Sequence, residues 1–365
     1  MSPSRGASSN PADRFTGRAF DVDLEALTAA AHAAGDDAIP APRTRFLEDH
    51  SRSIVSTNDS PDLPFDASVN PYRGCEHGCS YCYARPTHEY FGLSAGLDFE
   101  TVILVKRAAP ALLRAELMKA SWRPRLLALS GVTDCYQPVE RALCITRGCL
   151  EVLAEFRNPV GIVTKNALVT RDLDVLERLA EHDAVQVFLS VTTLDADLAG
   201  LLEPRASRPA ARLAAISELA RAGIAVGVLV APVIPGLTDH EMPAIVAAAR
   251  EAGATMASWQ LLRLPHGVKQ LFDEWLATHR PLQRDKVLHR LRELRGGALN
   301  DANFGTRFRG QGEWARQLEQ LFLLAKRRAG LHGPGVARRG AGCSTAAFRR
   351  PGPNQPGLFG PPEVH

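Results

Sequence analysis

The chain has 365 residues, of which 45% are hydrophobic and 23% charged, and its formal net charge is +3 at pH 7. This composition is typical of a folded globular protein and excludes a chain that is disordered throughout. The N-terminal stretch MSPSRGASSNPADR has no apolar segment like that of a secretory signal. The most apolar stretch, residues 225–237, contains two prolines and is shorter than the ~20 residues of a membrane helix. We therefore expect a cytoplasmic protein that does not span a membrane.

The two ends of the chain differ in composition from its middle. Residues 1–40 are rich in Ala, Ser, Pro and Asp, and residues 333–365 are rich in Gly, Pro and Arg. Segments of this kind bury too little apolar surface to fold alone. We predict a disordered N-terminal segment over 1–40 and a disordered tail over 333–365.

Between these ends, short apolar runs alternate with amphipathic stretches, a pattern typical of repeated βα units around a parallel sheet. A first strand is expected in FDASVNPYR, and further strands are predicted over residues 126–130, 160–165, 185–191, 225–231 and 255–261. The pattern amounts to about six βα units, fewer than the eight of a closed barrel. We predict an α/β core domain over 41–264, followed by a helical C-terminal extension over 265–332.

Three of the seven cysteines, Cys75, Cys79 and Cys82, stand together in the stretch RGCEHGCSYCYARP. Many cysteines in a reducing compartment indicate metal binding or catalysis rather than disulfides. The spacing C-x₃-C-x₂-C suits three ligands of a [4Fe–4S] cluster whose fourth iron stays open. The alternative is a tetrahedral zinc site with His77 or His88 as the fourth ligand.

An aromatic residue, Tyr81, precedes the third cysteine, and the cysteine loop opens the βα series. The loop resembles the signature of the radical S-adenosylmethionine (SAM) superfamily, C-x₃-C-x-aromatic-C at the end of the first strand of a partial (β/α)₆ barrel. The stretches SVNPYRGCEHGCSYCYAR, SGVTDCYQPVE, GIVTKN, LEPRASRPAARL and VAPVIPGLTDHE are similar to the branch related to spore photoproduct lyase. The resemblance covers residues 68–330 and implies a partial (β/α)₆ radical SAM barrel with a helical C-terminal cap and disordered termini.

The resemblance also implies cofactors and a reaction. Cys75, Cys79 and Cys82 would hold a [4Fe–4S] cluster, and its open iron would bind S-adenosylmethionine. An electron from the reduced cluster would cleave S-adenosylmethionine to methionine and a 5′-deoxyadenosyl radical, which abstracts a hydrogen atom from the substrate. Such an enzyme needs an electron donor such as a flavodoxin or a ferredoxin.

In this superfamily the cofactor lies across the C-terminal ends of the strands, where parallel α/β folds generally bind ligands. SGVTD occupies the place of the family's Gly-Gly-Glu-like turn, so Thr133 or Asp134 would bind the methionyl amine. Lys165 ends a buried run and would bind the cofactor carboxylate, although a solvated strand end is an alternative. Ser190 and Thr192 end the fourth strand and suit a ribose or methionyl contact.

Two further residues near these strand ends are candidates. Arg205 lies near a helix start and could reach a carboxylate of the cofactor, although an ion pair with Glu203 is favoured. Cys135 directly follows SGVTD, so we expect it to project near the mouth of the barrel. Spore photoproduct lyase uses a cysteine to quench the product radical, and the resemblance makes Cys135, followed by Tyr136, the candidate hydrogen donor. The alternative is a small buried apolar side chain.

Two stretches bear on the partners of the protein. NFGTRFRGQGEW, residues 303–314, interleaves aromatic and basic residues, which suits stacking on bases and contacts with phosphates. The alternative is a basic loop packed on the helical cap. Gln355–Phe359 has the Q-x-x-L-F spacing of peptides that dock into the bacterial sliding clamp.

Three functions are consistent with these residues. The first is a radical SAM enzyme acting on nucleic acid, in DNA repair or base modification. The second is the same chemistry on a peptide or a small metabolite. The third is a non-catalytic iron–sulfur or zinc binding protein. No feature of the sequence names the substrate.

Overall fold

The computed structural model describes residues 5–15, 17, 43–331 and 343–352. Its strands are β1 Arg45–Glu48, β2 Val55–Thr57, β3 Ala67–Val69, β4 Tyr72–Arg73, β5 Val102–Val105, β6 Leu127–Leu129, β7 Val160–Thr164, β8 Val185–Ser190, β9 Ala225–Val233 and β10 Met256–Leu261. The central layer is a seven-stranded sheet with the order β10-β9-β8-β7-β6-β3-β2, and β1, β5 and β4 form a small second sheet.

The central sheet has the strand directions of a partial barrel. Neighbouring strands from β3 to β10 pair in parallel, while β2 is antiparallel to β3 at one edge. All residues of β8 are buried because helices cover a parallel sheet on its outer face while side chains fill the inner one. The predicted α/β fold with a partial (β/α)₆ barrel is therefore confirmed.

Helices connect the strands and follow them at the C-terminal end. Their bounds are Leu97–Thr101, Ala109–Met118, Glu140–Leu143, Ile145–Phe156, Leu173–Ala180, Ala196–Leu202, Pro209–Arg221, Met242–Glu251, Val268–His279, Pro281–Glu293 and Gly312–Arg328, with short 3₁₀ helices at Arg85–Phe91, Ala167–Asp172 and Asp239–Glu241. In the last long helix, Phe322 packs on Trp259 of β10, with ring centroids 6.2 Å apart. The helical extension therefore shares the main core of the barrel. Within the described ranges, no helix combines the length and apolarity needed to cross a membrane.

Residues 301–310, here called the seam loop, bridge the two edges of the central sheet. At the β10 edge, the Leu261 amide donates to the Phe308 carbonyl oxygen at 2.8 Å. On the connection between β2 and β3, an Asp62 carboxylate oxygen lies 2.7 Å from Arg307 Nε, and the Gly305 amide donates to the same carboxylate at 2.8 Å. The seam loop thus closes the opening that a six-stranded barrel leaves.

Parts of both predicted disordered ends are packed against the body. The Gly6 and Ala7 amides donate to the Glu100 carboxylate at 3.0 and 2.8 Å. Near the other end, the Arg349 amide donates to the Phe156 carbonyl oxygen at 2.9 Å. Residues 1–4, 16, 18–42, 332–342 and 353–365 lie outside the described residues.

The seam loop predicts a stability effect. Arg307→Gln should remove the ion pair with Asp62, whose side chain is only 12% exposed, and lower the free energy of unfolding by about 1.5–3 kcal/mol. Urea unfolding measures this difference. Arg284→Gln, which removes a half-exposed pair with Asp273, is the matched control and should have little effect. Equal midpoints for the two variants would show that the seam contact does not hold the barrel closed.

Candidate functional site

The cysteine loop follows β4 directly and lies at the C-terminal end of the parallel strands. Cys75 and Cys79 are buried and Cys82 is half-buried. Gly74, with φ +80°, begins the loop, and a Cβ there would come within 2.8 Å of the His88 ring. The backbone can make this turn so close to His88 because the residue is glycine.

The chemistry of this donor set fits an iron–sulfur cluster. Burial raises the pKa of all three thiols, and Cys79 and Cys82 raise the pKa of Cys75 further. Thiolates so placed need a compensating positive charge, which a bound iron cluster supplies. The three thiols are the donor set that a cluster needs, and its binding would release their protons.

The histidines weighed as zinc ligands are engaged elsewhere. His77 Nδ1 lies 3.3 Å from an Asp134 carboxylate oxygen, and His77 Nε2 lies 3.3 Å from the Asn166 side-chain nitrogen. His88 Nε2 bonds to the Val102 carbonyl oxygen at 2.8 Å, and its ring packs edge-on against Phe99. The arrangement does not support a Cys₃His zinc site.

A buried ion pair between Arg85 and Glu100 fixes the backbone of the cysteine loop. Arg85 Nε and Nη2 donate to the Cys79 carbonyl oxygen at 3.0 and 2.8 Å. The same guanidinium pairs with Glu100, and both side chains are fully buried. Because a buried charge must stay paired, the position of Cys79 is tied to Glu100, which also binds the N-terminal segment.

A second buried group, here called the Glu203 cluster, ties the loop to the strand ends. It consists of Tyr81, Lys165, Thr192, Glu203 and Arg212. Glu203 accepts hydrogen bonds from Tyr81 and from Thr192, the latter at 2.7 Å. Its carboxylate also pairs with Arg212 and lies 3.6 Å from Lys165 Nζ. The aromatic residue before the third cysteine is thus anchored beside the ends of β7 and β8.

The Glu203 cluster carries more positive than negative charge. Burial raises the pKa of Glu203, but Arg212, Lys165 and the hydroxyl donors outweigh burial and hold that pKa at about 2. The carboxylate is therefore ionised at neutral pH and balances one of its two cationic neighbours. The remaining positive charge lies next to Cys79 and can compensate an anionic group bound there.

Four of the predicted cofactor residues lie side by side at the strand ends. Lys165 Nζ donates to Ser190 Oγ at 2.6 Å and to the Ala231 carbonyl oxygen at 3.0 Å. Thr192 Oγ1 lies 2.9 Å from the same carbonyl oxygen. The Lys165 amide donates to the Asp134 carboxylate at 2.8 Å. The C-terminal ends of the strands thus bring Asp134, Lys165, Ser190 and Thr192 together.

Asp134 is the negative group of this set. Burial raises its pKa, but His77 and the donors at Thr164 and Lys165 outweigh burial and keep that pKa below its ordinary value. Thr133 lies beside Asp134, yet its hydroxyl donates to the Tyr72 carbonyl oxygen at 2.9 Å. Its side chain therefore supports β4 rather than facing an open site.

The prediction that Arg205 forms an ion pair with Glu203 was wrong. Arg205 pairs with Glu76 at 2.9 Å, whereas Glu203 pairs with Arg212. The cause is the backbone, since the Arg205 amide donates to the His77 carbonyl oxygen at 3.2 Å and keeps Arg205 over the cysteine loop. Arg205 is therefore bound to the cysteine loop itself, through Glu76 and the His77 carbonyl oxygen.

The expected location of Cys135 was also wrong. Its side chain is fully buried in the main core rather than projecting at the barrel mouth. Ser130 has a positive φ of 79°, and Ser130 Oγ accepts from the Cys135 amide at 2.9 Å, so the turn folds Cys135 inward. Burial and the nearby Asp134 raise the pKa of its thiol. A role as hydrogen donor stays a prediction and would require this turn to open.

The basic residues of the seam loop are structural. Arg307 is bound to Asp62 and Ser60, and Arg309 Nη1 donates to the Trp259 carbonyl oxygen at 2.6 Å. These contacts match the alternative of a loop packed on the protein. Phe304 remains 55% exposed. Gln355–Phe359 lies outside the described residues.

Sequence reasoning missed Arg85 and Arg212. Arg212 shares the inward face of the helix Pro209–Arg221 with Ile216 and Leu219, all of them buried. A charged residue on an otherwise apolar helical face predicts a buried ion pair, because arginines are rarely buried unless they are paired. The sequence pattern around Arg212 could therefore have indicated this pair.

Comparison with known proteins gives a consistent picture. Residues 69–249 match the model of the radical SAM superfamily. The uncharacterized protein Rv2578c of Mycobacterium tuberculosis is 39% identical over 234 residues, which are 64% of this chain and 68% of that protein. A structure of spore photoproduct lyase complexed with dinucleoside spore photoproduct has a TM-score of 0.58 at 16% identity, covering 83% of this chain and 91% of that chain. A lyase variant with bound AdoMet and dinucleoside spore photoproduct has a TM-score of 0.57 at 16% identity, with the same coverage. At this identity the likeness to the lyase is one of fold.

The Glu203 cluster predicts an acid-dependent loss of stability. Because the folded-state pKa of about 2 lies below the unfolded value of about 4.3, the stabilisation is complete above that value and is lost as pH falls towards 2. The wild type should lose about 3 kcal/mol over this range from Glu203 alone. Glu203→Gln should cost about 3–5 kcal/mol at neutral pH, because Arg212 loses its partner, and should lack this acid-dependent part.

Urea unfolding at a series of pH values measures both effects. Glu313→Gln, which removes an exposed pair with Arg316, is the matched control and should follow the wild type. Parallel pH profiles for the wild type and Glu203→Gln would refute the coupling of this carboxylate to folding.

Proposed function

The chain belongs to the radical SAM superfamily, and from this premise we propose that it acts on nucleic acid, reversing a lesion or modifying a base. Membership makes it a radical SAM enzyme whose cofactors are a [4Fe–4S] cluster and S-adenosylmethionine. The alternative of a non-catalytic binding protein was therefore wrong. The substrate class is the proposal.

The cysteine loop is the proposed site of the cluster. Cys75, Cys79 and Cys82 would be its ligands, and Arg85 and Tyr81 hold the loop against the barrel. When bound, the cluster supplies the electron that splits S-adenosylmethionine into methionine and the radical that abstracts hydrogen from the substrate. A flavodoxin or a ferredoxin would be the source of that electron, and a reducing cytoplasm suits both the cluster and the free cysteines.

The strand ends are the proposed site of S-adenosylmethionine. The ionised Asp134 suits the cationic end of the cofactor, and the surplus charge at Lys165 suits its carboxylate. The hydroxyls of Ser190 and Thr192 lie beside Lys165 and donate their protons within the protein, so they would serve the cofactor as acceptors. Thr133 and Arg205 support this site from the turn and from the cysteine loop.

The observation that supports nucleic acid is the extent of the likeness to spore photoproduct lyase. The match reaches 91% of that chain and so includes more than the common barrel. The lyase structures contain dinucleoside spore photoproduct, a nucleic-acid lesion. An exposed aromatic ring on this chain, Phe304, lies on the seam loop and can stack on a base. The sliding clamp is a further proposed partner through Gln355–Phe359.

The test begins with the cofactors. Anaerobically reconstituted protein should contain one [4Fe–4S] cluster and, when reduced, convert S-adenosylmethionine to 5′-deoxyadenosine. Replacing Cys75, Cys79 and Cys82 together by Ala should abolish both properties, because the cluster would lose all its protein ligands. Cys144→Ala is the matched control, since that cysteine is exposed and lies outside the loop. A triple variant that keeps its iron and sulfide, or a wild type that takes up only zinc, would refute the site.

The second arm of the test addresses the substrate. The reduced enzyme is incubated with ultraviolet-damaged DNA, with RNA, and with peptide and metabolite mixtures, and 5′-deoxyadenosine is compared with the substrate-free rate. Nucleic acid should raise the yield and show a mass change by mass spectrometry. Stimulation by peptides or metabolites alone would contradict the proposed substrate class.

A further inference from the structure

Beside the cysteine loop lies Arg263, for which the described residues provide no hydrogen-bond acceptor. Arg263 follows the last residue of β10 by two positions, at the same end of the sheet as the cysteines. Its guanidinium carbon lies 5.8 Å from the ring centroid of Tyr83 and 5.0 Å from that of Phe308. Tyr83 comes directly after Cys82, and its hydroxyl donates to the Gly131 carbonyl oxygen at 3.1 Å, beyond the end of β6. Tyr83 thus contacts both the segment after β6, through Gly131, and the segment after β10, through Arg263.

Within the described ranges, the contacts of the Arg263 guanidinium are with aromatic rings. Its Nε is buried and has no hydrogen-bond partner in the described part of the chain. Burial and the neighbouring Arg307 lower the pKa of Arg263 and outweigh Tyr83, Asp62 and Asp301, which raise it. Asp62 is already bound to Arg307. A buried N–H donor without an acceptor is costly, so the position of this side chain requires a reason.

The neighbouring arginines differ in the use of their terminal Nη groups, although Arg295 Nε also has no partner among the described residues. Arg307 pairs with Asp62, and Arg309 donates to the Trp259 carbonyl oxygen. Arg295 donates to the Leu262 and Arg307 carbonyl oxygens at 2.6 and 2.9 Å. Among these described arginines, Arg263 is the one whose charged edge the protein itself does not use. Cation–π contacts fix the plane of a guanidinium and leave its N–H edge able to bind an anion in bidentate fashion.

We propose that Arg263, in contact with the rings of Tyr83 and Phe308, binds a phosphate group of the substrate at the mouth of the barrel. The inference deepens the proposed function and rests on it for the nucleic-acid class of the substrate. A phosphate group is present both in a strand, as a phosphodiester, and in a mononucleotide, as a terminal phosphate. The same contact would serve either source.

The experiment measures binding rather than catalysis. Fluorescence anisotropy follows a labelled single-stranded oligodeoxynucleotide on the reconstituted protein with S-adenosylmethionine. Arg263→Gln should weaken binding about tenfold and reduce the slope of log affinity against log salt by about 1. The affinity of Arg263→Lys should lie between those of the wild type and Arg263→Gln, because lysine keeps the charge without the planar guanidinium. Arg221→Gln, on an exposed helix end, is the matched control and should bind like the wild type.

Stability separates binding from a structural role. Because the described residues offer the Arg263 guanidinium aromatic rings but no hydrogen-bond acceptor, Arg263→Gln should lower the urea midpoint less than Arg307→Gln, which breaks a largely buried ion pair. A midpoint as low as that of Arg307→Gln, or oligonucleotide binding within about twofold of the wild type, would overturn the inference. Competition by inorganic phosphate and thymidine 5′-monophosphate, compared with an oligonucleotide carrying neutral methylphosphonate linkages, distinguishes a terminal phosphate from a strand phosphodiester. Failure to form 5′-deoxyadenosine would refute the proposed chemistry and leave this binding result standing.

Discussion

The buried carboxylate of Glu203 is the contact on which the arrangement of the site depends. It receives Tyr81 from the cysteine loop, Thr192 from the end of β8 and Arg212 from the following helix. Because an unpaired charge in the interior is strongly unfavourable, each of these side chains restricts the others. The cysteine loop has little regular structure of its own. Its position relative to the sheet is fixed by this carboxylate, which binds both Tyr81 of the loop and Thr192 at a strand end.

Much of the fold and part of the site could be predicted from the sequence. Parallel strands buried on both faces are read as continuous apolar runs, as in β8, and their C-terminal ends necessarily meet, which brought Lys165 and Ser190 together. The direction of Cys135 could not be predicted, because it depends on the left-handed backbone of Ser130 five residues earlier. The partner of Arg205 could not be predicted either, since several carboxylates lie near this mouth and only the folded backbone selects Glu76.

The seam loop shows how charge and aromatic content can mislead when they are read along the chain. Its arginines suited a nucleic-acid surface, yet Arg307 and Arg309 serve to close the barrel. A six-stranded barrel has two free edges, and the polar groups at those edges must be satisfied. The arginine that remains for a ligand, Arg263, comes from the end of a strand, where a parallel sheet most often binds its substrate.

The central claim is that the cysteine loop and the strand ends form one site for the cluster and S-adenosylmethionine. Electron paramagnetic resonance of the reduced, reconstituted protein tests it most directly, with Tyr81→Phe beside the exposed control Tyr90→Phe. The account predicts that S-adenosylmethionine shifts the cluster signal of the wild type and of the control. Tyr81→Phe should need about tenfold more S-adenosylmethionine for the same shift, because its loop loses the hydrogen bond to Glu203. A wild-type spectrum that S-adenosylmethionine leaves unchanged would contradict the account.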